Sequence, residues 1–192
     1  MRNEQALHLF EQAGALREGH FLLSSGLHSD RYLEKFRLVE DPRLLEPMCA
    51  DLAARFADAR PDVVLGPTTA GIILAYNVAR HLGVEARYAE REGAGRALRR
   101  GQTLSSGCRV LVVDDILTTG GAVRECIEVV SAHGAVLVGV GVLGDRSGGT
   151  VDLGTRLEAV LSLPVASFPP EECPLCRQGA PLEKPGTTPN VR

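Results

Sequence analysis

The hydrophobic pattern of the chain alternates between helical faces and short apolar runs. Apolar residues recur with helical spacing from Leu45 to Phe56, directly after an Asp41–Pro42 pair that is typical of a helix start. The same spacing predicts helices over residues 1–14, 72–82 and 123–130. Between them, continuous apolar runs predict four strands, over 62–66, 85–90, 109–115 and 135–145.

This alternation predicts an α/β fold with a central, mostly parallel sheet flanked by helices. A chain of 192 residues suits one domain spanning 1–192, with a core of about 42–163. Seven of the 11 prolines fall within 164–192, so we expect extended chain there. Residues 1–40 and 164–192 are expected to form a small hood over one edge of the sheet.

Polar and glycine-rich segments follow each predicted strand. Because ligands of parallel sheets bind outside the carboxyl ends of the strands, we expect these segments to meet at one site. They are GPTTAG (66–71), EREGAGRALRRG (90–101), DDILTTGG (114–121) and GDRSGG (144–149).

The segment DDILTTGG carries the most specific chemistry. Its threonines and glycines open a helix, and such a turn cradles a phosphate through backbone N–H groups, hydroxyls and the helix dipole. Asp114 and Asp115 would repel that phosphate, so they must face sugar hydroxyls or a magnesium ion. A phosphate cradle beside an acid pair suits a ribose 5-phosphate. The alternative is that the aspartates only cap the following turn.

Composition narrows the class of protein. The net charge of −3 argues against general nucleic-acid binding, and only two of the 21 basic residues are lysines, so an anion site must be built mostly from arginine. No apolar run approaches the ~20 residues that cross a bilayer, and the first residues lack a signal peptide's apolar core. We therefore expect a cytoplasmic protein with no membrane partner.

The segment VLVVDDILTTGGA (110–122) resembles the phosphoribosyl-pyrophosphate signature of the type I phosphoribosyltransferases. Residues 19–32 and 144–149 are similar to the amino-terminal motif and the base-binding arginine loop of the orotate-specific enzymes, and 171–186 resembles the tail of one bacterial and archaeal subgroup. The resemblance spans nearly the whole chain. It implies Mg²⁺-dependent transfer of phosphoribose from 5-phosphoribosyl 1-pyrophosphate to orotate, a step of UMP synthesis that releases pyrophosphate.

The resemblance also implies residue roles. Asp114 and Asp115 would bind the ribose hydroxyls. Mg²⁺ would be held mainly by the substrate, and Asp114 or Asp115 is the only side chain that we consider as a protein ligand for it. The expected phosphoribosyl-pyrophosphate site is Arg91, Thr68, Thr69, Asp114, Asp115, Ile116, Leu117, Thr118, Thr119, Gly120, Gly121 and Ala122. The expected orotate site is Thr118, Arg146, Ser24, Ser25 and Gly26. Arg146 also fits on chemical grounds, because a planar guanidinium recognises a carboxylate that purine bases lack.

The arginine-rich segment after the second strand is expected to be mobile. In the family this loop comes from the neighbouring subunit of a homodimer and carries a catalytic lysine, so we expect a homodimer with the 90–103 loop crossing the interface. This segment has no lysine; Arg96 is the candidate in its place, joining Asp114 and Asp115 as a predicted catalytic residue. Arginine cannot donate a proton at neutral pH, so its role would be electrostatic. The alternative is a solvated basic hairpin.

Two further lysine positions of the family are also changed. Ala70 stands beside the expected pyrophosphate loop, where some members carry a lysine, and Ser24 replaces another. These departures leave open which side chains clamp the substrate's charge.

Cys173 and Cys176 form a CxxC pair, which is half of a typical zinc site. No further ligands lie nearby in sequence, and the five histidines show no ligand spacing, so the pair is a weak metal signal unless it is shared across a dimer. His28, within the base-side motif, is the one histidine for which we expect a functional role.

Two other functions stay open at this point. One is a phosphoribosyltransferase for another base. The other is a non-catalytic regulator that keeps the nucleotide pocket and binds RNA or a repressor partner; the negative net charge argues against RNA, and the paired aspartates favour catalysis.

Overall fold

The computed structural model describes residues 1–23 and 25–185. The helices are α1 (Asn3–Gln12), α2 (Lys35–Glu40), α3 (Pro42–Phe56), α4 (Ala70–Leu82), α5 (Gly121–Ala132) and α6 (Pro174–Arg177), with a 3₁₀ turn at Ala57–Ala59. The strands are β1 (Leu16–Leu22), β2 (His28–Leu33), β3 (Val63–Pro67), β4 (Glu85–Glu92), β5 (Gly95–Leu98), β6 (Arg109–Leu117), β7 (Val136–Asp145) and β8 (Leu157–Ser162).

Six strands form the central sheet in the order β5-β4-β3-β6-β7-β8. All neighbours pair in parallel except β5, which lies antiparallel to β4 at one edge. The predicted α/β class with a mostly parallel sheet is confirmed. The predicted helix start at Asp41 is also confirmed, since its carboxylate accepts a hydrogen bond from Arg43 N at 2.9 Å.

Helices cover both faces of this sheet and divide the core in two. On one face, α1, α3 and α4 bury Phe10, Leu52 and Leu74 against β6 and β7. On the other face, α5 buries Val123 and Val130 against the same strands. Burial on both faces explains why the central strands β3, β6 and β7 are rich in apolar residues.

Strand β6 is longer than the sequence predicts. The predicted strand 109–115 already includes Asp114 and Asp115, and pairing with β7 continues through Asp114, opposite Val142, to Leu117, opposite Asp145. Backbone hydrogen bonds hold the strand together irrespective of side-chain polarity. The two aspartates therefore lie within the strand, and the loop begins only after Leu117.

The arginine-rich segment also differs from the expected mobile loop. Strand β4 turns at Gly93 and returns as β5, with Arg91 opposite Arg96 and Glu92 opposite Gly95. The turn is tight because Gly93 adopts a φ of +57°. The basic hairpin, the alternative considered for this segment, is the conformation observed.

A second, two-stranded sheet forms the hood. The β1–β2 hairpin is joined by the segment 164–185, through a parallel bridge of Phe21 to Glu183 and an antiparallel bridge of His28 to Phe168. Glu183 O accepts a hydrogen bond from Leu22 N at 2.8 Å. The first helix lies apart from this hood, because α1 packs into the core through Ala6 and Phe10.

Among the helices of residues 1–23 and 25–185, none is both long and apolar enough to traverse a bilayer.

Candidate active site

The carboxyl ends of β3, β4, β6 and β7 meet at one edge of the sheet, as predicted. The segments that follow these strands supply the polar groups of the candidate site. Two cavities open there, and both are lined by residues of the β6–α5 loop.

Asp114 and Asp115 are neighbours at the end of β6, and their side chains point to opposite faces of the sheet. Successive side chains of a strand point to opposite faces, so the two carboxylates line different cavities. Asp114 Oδ1 accepts a hydrogen bond from Asp115 N at 2.8 Å, and Asp115 Oδ1 accepts one from Ile116 N at 2.6 Å. Both carboxylates are therefore fixed by their own backbone.

Burial raises the pKa of Asp114 to about 7, and the neighbouring charge of Asp115 acts in the same direction. The hydrogen bond from Asp115 N and the more distant charges of Lys35 and Arg96 oppose the rise. Two buried carboxylates side by side hold more negative charge than their surroundings neutralise. The pair thus favours hydroxyl donors or a cation as its ligand.

Lys35 supplies a cation that the sequence pattern did not identify. It begins α2, and its Nζ lies 3.1 Å from Asp115 Oδ2. The one available signal was its rarity, since only Lys35 and Lys184 occur in the chain. Lys35 therefore adds positive charge to a site expected to rely on arginine.

The first cavity, which we name the loop cavity, has a volume of about 260 Å³. It is bounded by the β6–α5 loop, where Gly120 adopts a φ of +81° and a side chain there would come within 3.0 Å of Val151. Helix α5 begins at the next residue, so its first N–H groups have no partner within the helix. The lining residues are Arg91, Asp114, Ile116, Leu117, Thr118, Thr119, Gly120, Gly121, Ala122, Val123 and Glu125.

The second cavity, which we name the hood cavity, has a volume of about 480 Å³ and lies between the sheet edge and the hood. Arg146, directly after β7, projects into it together with Asp115, Thr118 and Ser25. Leu22, Leu23, Leu27, Tyr32, Leu33, Lys35, Ile116, Thr119, Val165, Ser167 and Pro185 complete its lining.

Arg146 is a cation of the site with an unsatisfied hydrogen-bond donor. Its Nε is buried, and no group within residues 1–23 and 25–185 accepts a hydrogen bond from it. Burial lowers the pKa of the guanidinium, while the nearby Tyr32 acts in the opposite direction. A buried guanidinium nitrogen without an acceptor is energetically costly, so the cavity favours an anionic ligand.

The turn between β3 and α4 is tight because the glycines at its two ends are in contact. A side chain at Gly66 would lie 2.1 Å from the carbonyl oxygen of Gly71, so the two ends of GPTTAG touch. The exposed Thr69 and half-buried Thr68 stand at the tip, where α4 begins. The turn is placed at the predicted edge, beside the β4–β5 hairpin.

Arg96 reaches this turn within its own chain. Its side chain is only 6% exposed, and its Nη1 donates to Thr68 Oγ1 at 3.2 Å and to Ala89 O at 3.1 Å. Its Nε lies 3.0 Å from Glu125 Oε2, although the angle is not that of a hydrogen bond. Arg96 thus supports the Thr68–Thr69 turn through hydrogen bonds from a buried position, and it does not lie on an open loop.

The other arginines of the hairpin are each matched by an acid. Arg91 lies 3.2 Å from Glu125 and Arg100 lies 3.1 Å from Glu90. Arg99 is within 3.5 Å of Glu92. Because Arg91 and Arg96 share Glu125, the four arginines face three glutamates, and most but not all of the positive charge of the segment is balanced.

The structure brings most of the predicted site residues to these cavities. Thr68, Thr69, Arg96 and Gly26 do not line either one, and Ser24 lies outside the described residues. Tyr32 and Glu125, in contrast, were not predicted from the sequence. Tyr32 ends the motif 19–32 and Glu125 follows the signature segment by three residues, but neither carries a spacing that marks it.

Comparison with known proteins agrees with this geometry. Residues 43–155 match the model of the phosphoribosyl transferase domain. The orotate phosphoribosyltransferase of Pelotomaculum thermopropionicum is 49% identical over 187 residues, covering 97% of this chain and 98% of that protein. The chain belongs to the orotate phosphoribosyltransferase family.

Solved structures show the same relationship. The crystal structure of the orotate phosphoribosyltransferase from Aeropyrum pernix superposes with a TM-score of 0.67 and 32% identity, over 82% of this chain and 93% of that one. An adenine phosphoribosyltransferase from Thermoanaerobacter pseudethanolicus shares the fold, with a TM-score of 0.60 at 18% identity, over 69% of this chain and 88% of that one. The fold is thus common to enzymes for different bases and does not by itself identify the base.

The pKa of Asp114 predicts a pH dependence of stability. The folded-state pKa of about 7 exceeds the ordinary value, so protonation of Asp114 favours the folded state. Its contribution is complete below the ordinary pKa of 3.8 and is lost progressively as the pH rises from there through about 7. We therefore expect Asp114→Asn, which cannot ionise, to gain stability over the parent by about 2–3 kcal/mol between pH 5 and pH 8.

Urea unfolding at pH 5, 6.5 and 8 measures this difference. Asp30→Asn, at an exposed carboxylate of the hood, serves as the control and should show no such trend. A stability difference between Asp114→Asn and the parent that is constant from pH 5 to pH 8 would show that Asp114 is ionised throughout.

Proposed function

We propose that this protein is an orotate phosphoribosyltransferase, transferring phosphoribose from 5-phosphoribosyl 1-pyrophosphate to orotate in de novo UMP synthesis. The N1–C1′ bond of orotidine 5′-monophosphate forms as the bond from C1′ to the pyrophosphate oxygen breaks. The observation that carries the proposal is the buried, unpartnered Nε of Arg146 in the hood cavity.

Arg146 selects the base through charge. Orotate carries a carboxylate, whereas adenine and hypoxanthine carry none. A guanidinium binds a carboxylate through two parallel hydrogen bonds, and in a partly dehydrated cavity such a pair is stronger than at the surface. The hydroxyls of Ser25 and Thr118, which line the same cavity, are available to the polar edge of the pyrimidine.

The ribose would bridge the two cavities. Asp114 faces the loop cavity and Asp115 faces the hood cavity, so a sugar lying across the end of β6 presents hydroxyls to both carboxylates. Its 5-phosphate would occupy the loop cavity, where Thr118, Thr119 and the first N–H groups of α5 are donors. This places C1′ toward the hood cavity and the base.

Mg²⁺ is the proposed cofactor, and the donor set fits it. The carboxylates of Asp114 and Asp115 are hard oxygen ligands, and Lys35 is the single cation within ion-pair distance of them in the described chain. When bound, Mg²⁺ neutralises charge on the departing pyrophosphate. The carboxylates would bind the ribose hydroxyls, and substrate oxygens would supply the other ligands of Mg²⁺.

The Thr68–Thr69 turn is the proposed pyrophosphate site. Its hydroxyls and the start of α4 supply donors, and Arg96 holds the turn in place through Thr68. Arg96 is therefore proposed as a positioning residue in its own subunit, which replaces the catalytic role expected from the sequence. Arg91, at the mouth of the loop cavity, is the arginine placed to contact a phosphate directly.

A direct assay tests the function. The protein is mixed with orotate, 5-phosphoribosyl 1-pyrophosphate and Mg²⁺, and the loss of orotate absorbance is followed. We expect turnover with orotate that EDTA abolishes. Turnover with uracil or a purine but not with orotate would overturn the choice of base, and no turnover with any base would favour a non-catalytic regulator.

Arg146→Ala tests how the base is chosen. We expect the KM for orotate to rise by about 10- to 100-fold, because one charge-assisted pair contributes on the order of 1.5–3 kcal/mol, while the KM for 5-phosphoribosyl 1-pyrophosphate changes little. Arg43→Ala, at an exposed arginine of α3, is the matched control. An unchanged KM for orotate would assign the carboxylate to another residue.

A homodimer and a cytoplasmic location complete the proposal. Ile73 and Tyr76 lie one turn apart on α4 and are 40% and 65% exposed, an apolar face next to the pyrophosphate turn. A partner on this face would bring its 90–103 segment towards this edge of the sheet. All five cysteines are free thiols, the state that a reducing compartment maintains.

Sedimentation equilibrium measures the assembly. We expect a mass of twice the 20.5 kDa chain, and we expect Tyr76→Glu to shift the protein towards the monomer by burying a charge in the interface. Val136→Glu, at an exposed apolar residue of β7, should leave the mass unchanged. A parent protein of 20.5 kDa at micromolar concentration would exclude the dimer.

A further inference from the structure

Four potential metal ligands converge inside the hood, away from the two cavities of the active site. They are His20 on β1, His28 at the start of β2, Cys173 just before α6 and Cys176 within α6. Their ligand atoms all lie within 4.8 Å of one another. The sequence could not show this cluster, because the histidines and cysteines are separated by about 150 residues.

The distances between these atoms match a tetrahedral metal site. His20 Nε2 lies 3.0 Å from His28 Nδ1, 3.5 Å from Cys173 Sγ and 3.6 Å from Cys176 Sγ. Cys176 Sγ lies 3.2 Å from His28 Nδ1. The bond lengths of a tetrahedral zinc ion predict separations of about 3.3 Å between two nitrogens and about 3.5 Å between nitrogen and sulfur.

The hydrogen bond at the far side of His20 sets its protonation. His20 Nδ1 lies 2.9 Å from the carbonyl oxygen of Ala180, which can only accept, so Nδ1 carries the proton. In the neutral ring the lone pair then belongs to Nε2, the atom that faces His28 and both sulfurs. A histidine that donates its other N–H to a carbonyl is the usual arrangement around bound zinc.

Without a metal, this cluster is poorly stabilised. His20, His28 and Cys173 are buried, and the interior of the cluster contains two ring nitrogens and two thiols with few strong hydrogen bonds to make. Two thiolates and two neutral imidazoles would balance the charge of one divalent cation. The site would therefore be neutral as a whole, which removes most of the cost of burying an ion.

We propose that His20, His28, Cys173 and Cys176 bind one Zn²⁺ ion, which joins the β1–β2 hairpin to the segment 164–185. All four positions are protein ligands, so the site is structural, with no open position for substrate. This departs from the sequence expectation that only Asp114 or Asp115 would contact a metal and that the CxxC pair lacked partner ligands.

The position of the proposed ion indicates a structural role at the hood cavity. The hairpin contributes Leu22, Leu27 and Tyr32 to the hood cavity, and the segment 164–185 contributes Val165 and Ser167. Without an ion, the two are joined by backbone hydrogen bonds, such as His28 N to Phe168 O at 2.8 Å, and by side-chain contacts such as Ser29 Oγ to Ala166 O at 2.7 Å and Arg17 to Glu183 at 2.7 Å. A zinc ion would therefore fix the two walls of this cavity relative to each other.

Metal analysis of the intact protein tests the site. Protein purified from zinc-supplemented medium is dialysed against buffer without chelator, and its metal content is measured by inductively coupled plasma mass spectrometry. We expect one zinc per chain, released on addition of a mercurial that blocks thiolates. A parent protein that contains no zinc and binds none when titrated with Zn²⁺ would overturn the proposal.

Matched cysteine variants identify the ligands. Cys176→Ser alters an exposed residue and is expected to lower the zinc content at least tenfold, and Cys108→Ser, at a free thiol beside β6, should keep one zinc per chain. His28→Gln tests the hairpin side of the site. If Cys176→Ser or His28→Gln retains full zinc, the proposed ligand set is wrong.

Cobalt substitution reports on the geometry without requiring a stable variant. Protein stripped of zinc and reloaded with Co²⁺ should show the intense visible bands of a tetrahedral ion and the near-ultraviolet charge-transfer band of cobalt bound to thiolate. Weak bands of an octahedral ion, or a Cys173–Cys176 disulfide found by mass spectrometry of the freshly purified protein, would contradict the site.

Limited proteolysis measures the structural role independently of activity. The metal-free protein is expected to be cleaved within 164–185 at least tenfold faster than the zinc-bound protein, because the segment is then held to the hairpin only by hydrogen bonds and an exposed ion pair. Equal cleavage rates would show that the ion does not secure the hood. Neither the metal content nor the cleavage rate depends on which base the enzyme uses.

Discussion

The end of β6 carries the constraint on which the site depends: two adjacent carboxylates inside a strand that is still paired with β7 but no longer with β3. Because side chains of a strand alternate, Asp114 and Asp115 must face opposite ways, and each therefore lines a separate cavity. Their mutual repulsion and burial raise the pKa of Asp114 and call for a counter-charge, which Lys35 supplies in part. A ligand with hydroxyls on two sides satisfies both acids.

Much of this edge follows from the pattern of apolar residues alone. If the apolar runs that end near Gly66, Val113 and Asp145 are parallel strands, the segments that follow them must lie at the same edge of the sheet. The position of Arg146 beside the β6–α5 loop follows from this alone. The last two residues of β6, Ile116 and Leu117, were not predicted as strand, because the two aspartates interrupt its apolar run. Lys35 and Tyr32 were missed because contacts made through space leave no spacing in the sequence.

Arginine content was the least reliable guide. Four arginines in twelve residues suggested a mobile cationic loop, whereas the structure has a hairpin in which Glu90, Glu92 and Glu125 pair with the four arginines and balance all but one of their charges. Glu125 belongs to α5, so the pairing of hairpin and helix could be seen only in three dimensions. The same holds for the histidines of the hood, whose partner cysteines lie near the other end of the chain.

The hood cavity has walls from both ends of the described chain. Residues 16–33 and 164–185 come together there, whereas the loop cavity is built within 91–125. Enclosing the hood cavity therefore requires two segments from opposite ends of the described chain to pack together, whereas the loop cavity depends on residues that are closer in sequence.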